Sequence, residues 1–204
     1  MTSMTKPTSN PGPDRRALLA GMAGLAMLAA GPALAYSVED ARALIVKVVA
    51  DVQKIIDSGK PEAAKLRDFE KIFEDYAEVQ VIGQIVLGAD GRRASARQKR
   101  AFAEAFKIYI SHKYGRRFRE FIGGRIEIGK ARKVKRYYEV TTTTILKGQA
   151  PFEVIYVVAE QSGRFIDLKI EGISLVKSER EEIGAMLDKR RGDLDKLIAD
   201  LRRM

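Results

Sequence analysis

One histidine and no cysteine limit the chemistry that this 204-residue chain can perform. His112 has no second His and no Cys with which to share a metal ion, and no G-x-S-x-G turn offers a serine nucleophile. Gly83, Gly88 and Gly91 lack the spacing of a phosphate-binding loop and its Lys-Ser/Thr ending. Because the chain has no cysteine, disulfides and thiolate chemistry are excluded. We expect a protein that is not an enzyme, with His112 in a structural or surface role.

Basic residues form three clusters in a chain of formal net charge +10. Such clusters suit nucleic acid, anionic lipid or an acidic protein partner, but they also occur as ordinary solvated faces. We expect no nucleic-acid binding, because no RNA-binding signature with paired aromatics is present. The clusters comprise Arg92, Arg93, Arg97, Lys99 and Arg100; Arg116, Arg117 and Arg119; and Lys130, Arg132, Lys133, Lys135 and Arg136.

The N-terminal segment has the form of an export signal. Arg15 and Arg16 precede an uncharged stretch rich in Ala, Leu and Gly, which ends in the small-residue sequence Ala33-Leu34-Ala35. A charged start, an apolar middle and an A-x-A end are typical of a cleavable secretory signal. The Arg pair followed by Leu residues resembles a twin-arginine signal. We predict a signal peptide at 1–35, with an uncleaved anchor as the alternative, and a single domain at 36–204.

The element that organises this domain is a run of β-rich segments separated by short polar turns. We predict strands at 125–130, 133–147, 151–161 and 164–176, joined as an antiparallel meander. Side chains alternate between the faces of a strand, so the even-numbered residues share one apolar face and the odd-numbered ones form a wet face. The predicted apolar face carries Ile126, Ile128, Val134, Tyr138, Val140, Thr142, Thr144, Leu146, Phe152, Val154, Tyr156, Val158, Ile166, Leu168 and Ile170. The phase changes at Gly172, which indicates a bulge or a change of direction.

Helical patterns on both sides of this run supply the cover for the apolar face. Apolar stripes with helical spacing occur at 38–58, 66–76 and 102–110, and again in the last 27 residues. Ser95 with Gln98, and Ser178 with Glu181, have the spacing of capping boxes that begin helices. We predict an α+β fold: a four-stranded antiparallel meander with one face covered by N- and C-terminal helices. So many apolar faces suggest that they enclose a cavity.

Several short motifs follow one another in a recognisable order: Phe73-Glu74-Asp75-Tyr76, Val86-Leu87-Gly88, Ser95-Ala96-Arg97-Gln98-Lys99-Arg100-Ala101-Phe102 with Phe106, Glu171-Gly172-Ile173-Ser174-Leu175-Val176, and Leu194, Leu197 and Leu201. In this order they resemble the MlaC-like periplasmic phospholipid-carrier family of the Mla pathway, also called the toluene-tolerance family. The sequence departs from the family pattern after Gly88 and after Val176. The cargo therefore stays open between a phospholipid and the lipid of a hopanoid-associated branch.

The resemblance implies a monomeric periplasmic carrier that holds lipid acyl chains between sheet and helices. It would shuttle lipid between an outer-membrane lipoprotein complex and an inner-membrane ABC transporter that contains an MCE protein. No cofactor is implied, since the lipid is cargo. The alternative is a non-enzymatic adaptor that has a filled core and docks acidic partners through its basic clusters. For the carrier, the expected lipid-binding residues are Phe73, Tyr76, Ile82, Val86, Phe102, Phe106, Tyr109, Ile110, Tyr138, Val140, Thr142, Val154, Tyr156, Val158, Leu168, Ile170, Ile173 and Leu175.

Overall fold

The computed structural model describes residues 36–204. The predicted signal peptide at 1–35 lies outside the described residues. Four helices precede an antiparallel sheet and two follow it, with 3₁₀ segments at Asp90–Arg92 and Arg116–Phe121. The helices are α1 (Val38–Asp57), α2 (Glu62–Tyr76), α3 (Val79–Leu87), α4 (Ala96–Gly115), α5 (Leu175–Asp188) and α6 (Leu194–Leu201). The strands are β1 (Arg125–Val134), β2 (Tyr137–Ile145), β3 (Phe152–Ala159), β4 (Phe165–Ile170) and β5 (Ile173–Ser174).

The predicted α+β fold is confirmed, with helices over one face of an antiparallel meander. The strand order is β1-β2-β3-β4-β5, so the sheet has five strands where we predicted four. The fifth strand arises at the predicted phase change. Glu171 (φ 49°) and Gly172 (φ 79°) form a two-residue turn, which pairs Ile170 with Ile173. Positive φ at both turn residues is the backbone conformation of a tight antiparallel hairpin.

A bulge in β1 changes the first hairpin. Ile128 pairs with Thr142, but Ala131 pairs with Val140, so β1 holds one extra residue between these pairs. The turn predicted at 130–132 is therefore wrong: the strand continues, and the chain turns at Lys135, whose φ is 57°. The extra residue also reverses the side-chain alternation beyond it. Val134, predicted on the apolar face, pairs with the half-exposed Tyr137 on the opposite face.

A second bulge, in β4, corrects the assignment of Phe165. Val157 pairs with Asp167 and Val158 pairs with Phe165, which leaves Ile166 as the extra residue. Residues paired across antiparallel strands point to the same face. Phe165 therefore shares the apolar face with Val158, although its odd number placed it on the predicted wet face. It is 2% exposed.

Ion pairs between charged side chains cover part of the outer face of the sheet, which is the predicted wet face. Glu139 accepts hydrogen bonds from Arg132 Nη2 and Lys169 Nζ, each at 2.6 Å, and is itself buried. The hydrogen bond from Lys169, joined by that from Arg132, holds the pKa of Glu139 below its usual value. Val157 lies buried on this same face. This wet face is therefore partly covered by its own ion pairs.

The helices begin where side chains satisfy their first backbone N–H groups. The capping box predicted at Ser95 and Gln98 is confirmed, since each side chain bonds the backbone N–H of the other residue. The box predicted at Ser178 is wrong, because α5 begins earlier with Ser174 as its N-cap. Within 36–204, no helix is long and apolar enough to cross a bilayer.

Candidate functional site

A cavity of about 300 Å³ lies between the N-terminal helices and one end of the apolar face of the sheet. Helix α1 contributes Val48, Val52 and Ile56, which lie at successive i, i+4 positions on one face. Helix α2 contributes Phe69, Ile72 and Phe73. The strands contribute Ile126, Thr144, Phe152, Val154, Tyr156, Phe165, Leu168 and Ile170.

The register of the sheet explains why these strand residues meet. Ile126 pairs with Thr144 and Thr144 pairs with Phe152, which forms one row across three strands. The next rows pair Val154 with Ile170 and Tyr156 with Leu168. Side chains in such rows stand about 5 Å apart on one face. The sheet therefore supplies a continuous wall opposite α1 and α2.

Two polar side chains of the wall make hydrogen bonds within the protein itself. Ser111 Oγ donates to the carbonyl oxygen of Lys107 at 2.6 Å, and Tyr114 Oη donates to Glu179 Oε1 at 2.8 Å. Burial raises the pKa of Tyr156 to about 12, so its hydroxyl is neutral at physiological pH. The wall therefore presents an uncharged and largely apolar surface.

The exposed members of the lining mark where the cavity opens to solvent. They are Arg117 and Glu120, on the 3₁₀ segment after α4, and Gln149, in the turn before β3. Arg117 binds Glu120 through two hydrogen bonds, of 2.9 and 2.8 Å. The rest of the lining is buried or half-buried. The cavity thus has a largely apolar interior and a polar mouth.

Six of the residues predicted to bind lipid line this cavity: Phe73, Val154, Tyr156, Leu168, Ile170 and Leu175. Another three, Ile82, Phe106 and Ile110, line a neighbouring recess of about 20 Å³. The recess and the cavity share Phe73, Phe165, Leu168 and Leu175 as a common wall. These four side chains separate the recess from the main space.

Nine of the predicted residues lie outside both spaces: Tyr76, Val86, Phe102, Tyr109, Tyr138, Val140, Thr142, Val158 and Ile173. Tyr138, Val140 and Val158 occupy the other end of the apolar face, which is filled, and the ring of Tyr36 packs edge-on against Tyr138 at 5.5 Å. Tyr109 instead donates to Glu182 at 2.8 Å, and Ile173 is 67% exposed.

The prediction of site residues missed the contribution of α1 altogether. Val48, Val52 and Ile56 belong to a stripe that the sequence shows clearly, but a stripe alone does not say what it faces. Phe165 was missed because the bulge in β4 reverses its face. Arg117 and Glu120 gave no signal beyond membership of a charged segment.

His112 lies apart from the cavity. Its Nε2 atom is 2.8 Å from Glu70 Oε1, so the pair joins α4 to α2. Across residues 36–204 the structure shows no group of three or more His, Asp or Glu side chains placed to hold a metal ion. The described part of the chain thus offers a binding cavity, and His112 has a structural contact.

Two comparisons with known proteins bear on the family and the fold of this chain. The model of the family described as MlaC protein matches residues 46–203. The fold is similar to the solved structure of the phospholipid-binding protein from Ralstonia solanacearum in complex with a phospholipid, with a TM-score of 0.65 and 21% sequence identity. That match covers 79% of this chain and 98% of the other. Since the family model spans well over half of the sequence, the chain belongs to the MlaC protein family.

Proposed function

We propose that the protein is a periplasmic lipid carrier that holds phospholipid acyl chains in the cavity between α1, α2 and the sheet. The observation that carries the proposal is the cavity of about 300 Å³ with its largely apolar wall and polar mouth. Ligand pockets of proteins begin at about this volume. Membership of the MlaC family and the phospholipid-binding structural relative support the same function.

The energetics of the cavity favour a lipid-filled state. At about 24 cal/mol per Å³, a rigid and empty void of this volume would cost about 7 kcal/mol. The whole stability of a domain is about 5–15 kcal/mol. Each acyl CH₂ group that leaves water contributes about 0.8 kcal/mol, so a bound chain offsets that cost. We therefore expect the protein to retain lipid during purification, or to contract when it is emptied.

The charged mouth fits the amphipathic form of a phospholipid. With the acyl chains inside, the phosphate lies where Arg117 reaches it, and neither charge needs to enter the apolar wall. A hopanoid-type lipid fits the same wall through its apolar body. The adaptor alternative requires a filled core, and the cavity between α1, α2 and the sheet speaks against it.

In the full proposal, the N-terminal 35 residues direct export and the mature protein acts as a monomer. It carries lipid between an outer-membrane lipoprotein complex and an inner-membrane ABC transporter with an MCE protein. The transfer needs no cofactor and no covalent step, because binding and release move the cargo unchanged. The family membership supports this assignment of partners.

The test is the mass spectrum of an organic extract of the gently purified protein. We expect near-stoichiometric phospholipid from the wild type and a large loss from Ile170→Asp, which puts a short charged side chain into the cavity wall. Ile155→Asp is the matched control, since Ile155 is a half-buried strand residue on the outer face. A wild-type protein without extractable lipid, which also takes up none from vesicles, would overturn the proposed function.

A further inference from the structure

The mouth of the cavity carries one positive and one negative side chain that are hydrogen-bonded to each other. Arg117 and Glu120 lie one turn apart on the segment Arg116–Phe121, and they are the charged members of the described cavity lining. Arg117 Nε is 2.9 Å from Glu120 Oε1, and Arg117 Nη2 is 2.8 Å from Glu120 Oε2. Their side chains are 62% and 38% exposed, so both reach solvent at the opening.

Each partner keeps unused hydrogen-bonding capacity while the pair stays intact. A guanidinium has five N–H donors, and the bonds to Glu120 use two of them. A carboxylate has about four lone-pair sites, and the same two bonds occupy one on each oxygen. The pair can therefore accept a further donor at Glu120 and give further N–H groups to an acceptor at Arg117.

Both groups stay charged across the physiological pH range. The hydrogen bond to Glu120 raises the pKa of Arg117 above its usual value, and the same bond holds the pKa of Glu120 below its own. The neighbouring arginines are engaged elsewhere. Arg119 binds Glu62 at 3.1 Å, and Arg116 donates to the carbonyl oxygen of Met204 at 2.5 Å. Arg117 and Glu120 thus form a paired site with one positive and one negative group.

We propose that this pair selects zwitterionic phospholipid headgroups that end in a primary ammonium, of the phosphatidylethanolamine class. The guanidinium of Arg117 binds the phosphate, and the carboxylate of Glu120 binds the ammonium, which is two carbons away from the phosphate oxygen. The inference rests on the proposed function, because acyl chains in the cavity are what bring the headgroup to the mouth.

The chemistry of the alternatives explains the selectivity. Arginine binds phosphate oxygens well in any phospholipid, so Arg117 favours all of them. A primary ammonium donates hydrogen bonds to Glu120, whereas the glycerol of phosphatidylglycerol offers uncharged hydroxyls and leaves the headgroup with a net negative charge. Charged partners form the stronger hydrogen bonds. Glu120 therefore favours binding of the phosphatidylethanolamine headgroup over that of phosphatidylglycerol.

The test is uptake by the purified mature protein from vesicles that hold equal amounts of phosphatidylethanolamine and phosphatidylglycerol with the same acyl chains. Exposed ion pairs change equilibria by up to about fivefold, so we expect about two- to fivefold enrichment of phosphatidylethanolamine in the extract. Glu120→Gln should lower the uptake of phosphatidylethanolamine and so return the ratio to that of the vesicles. Arg117→Gln should lower the uptake of both lipids.

Arg125 and Glu127 supply the matched control. They form an exposed Arg–Glu pair at 2.8 Å on β1, outside the cavity lining, so Glu127→Gln should keep the wild-type ratio. A wild-type ratio equal to that of the vesicles and unchanged in Glu120→Gln would overturn the headgroup assignment and leave the carrier function standing. A wild type that takes up neither lipid would overturn both.

Discussion

Filling the cavity should stabilise the empty protein and weaken lipid binding at the same time. Val154 lines the cavity on β3, so in Val154→Phe the added ring points into the void. The ring adds roughly 50 Å³, less than the share of two water molecules in the liquid. At about 24 cal/mol per Å³ of void removed, the delipidated protein gains about 1 kcal/mol. For a domain of this size, the midpoint of thermal unfolding should rise by about 2–4 °C.

The same ring displaces about two CH₂ groups of the bound chain. At about 0.8 kcal/mol for each, lipid binding should weaken by about tenfold. The assay is thermal unfolding of the delipidated variant followed by circular dichroism, together with equilibrium uptake of phospholipid from vesicles. A rise in the unfolding midpoint of the delipidated variant together with a fall in its lipid uptake is what a ligand cavity predicts.

Val158→Phe is the control for this prediction. Val158 lies four residues along the same strand and on the same face, but it is fully buried where the core is filled. Overpacking there should cost about 1–3 kcal/mol and lower the unfolding midpoint. If Val154→Phe destabilises the delipidated protein as much as Val158→Phe does, or leaves lipid uptake unchanged, the inferred void does not exist in solution.

Three further predictions concern contacts that hold the fold together. The pKa of Glu139 is lower in the folded protein than in the unfolded chain, where it is near 4.5. Ionised Glu139 therefore stabilises the fold above pH 4.5, and this stabilisation is lost as the pH falls through the pKa of the folded protein. In Glu139→Gln the free energy of unfolding, measured as a function of pH, should decline less steeply in acid. Lys113→Met should cost about 3 kcal/mol in urea denaturation, because Glu179 then keeps a buried charge without its ammonium partner at 2.8 Å; a loss below 1 kcal/mol would refute that. Gly88→Ala should lower the free energy of unfolding by about 1–3 kcal/mol in the same assay, because Gly88 has a φ of 54° and the added Cβ would lie 2.6 Å from the Arg180 guanidinium. An unchanged denaturation midpoint would count against the observed loop.

The meander and its apolar face follow from sequence alternation, but the two bulges do not. A bulge adds one residue and reverses the face of everything beyond it, which is why Val134 and Phe165 were assigned to the wrong sides. The alternation of the sequence cannot reveal where a strand changes face, because apolar residues occupy both odd- and even-numbered positions near each bulge. Gly129, beside the first bulge, is a partial signal: a Cβ there would lie 3.0 Å from the carbonyl oxygen of Thr141.

Tertiary contacts also decide where α5 begins. Ser178 and Glu181 have the spacing of a capping box, yet the helix starts after Ser174. Asp167 on β4 accepts hydrogen bonds from Ser174 Oγ at 2.6 Å and from the Val176 backbone N–H at 3.0 Å. The distant carboxylate satisfies an N–H group of the first turn, so the helix begins one turn before the local pattern predicts.

The location of the cavity depends on which apolar stripes meet closely. Helices α3 and α4 also carry apolar stripes, and Val86 and Phe102 on them were among the residues predicted to bind lipid. Gly83 removes the space there, because its Cβ position lies 3.0 Å from the Cβ atom of Ala103. Small residues bring these two backbones together, which leaves a recess of only about 20 Å³ beside them. The Val52–Ile56 end of the α1 stripe instead lines the cavity.

The most direct test of the central claim is photo-crosslinking with a phospholipid that carries a photoreactive group near the end of one acyl chain. After uptake from vesicles, irradiation and digestion, mass spectrometry identifies the labelled peptides. Labels on the cavity walls, in the peptides that hold Val52 and Ile56 of α1, Phe69 of α2 or Tyr156 of β3, are the expected result. Labels confined to the α3–α4 core or to the outer face of the sheet, or no labelled peptide at all, would contradict the account.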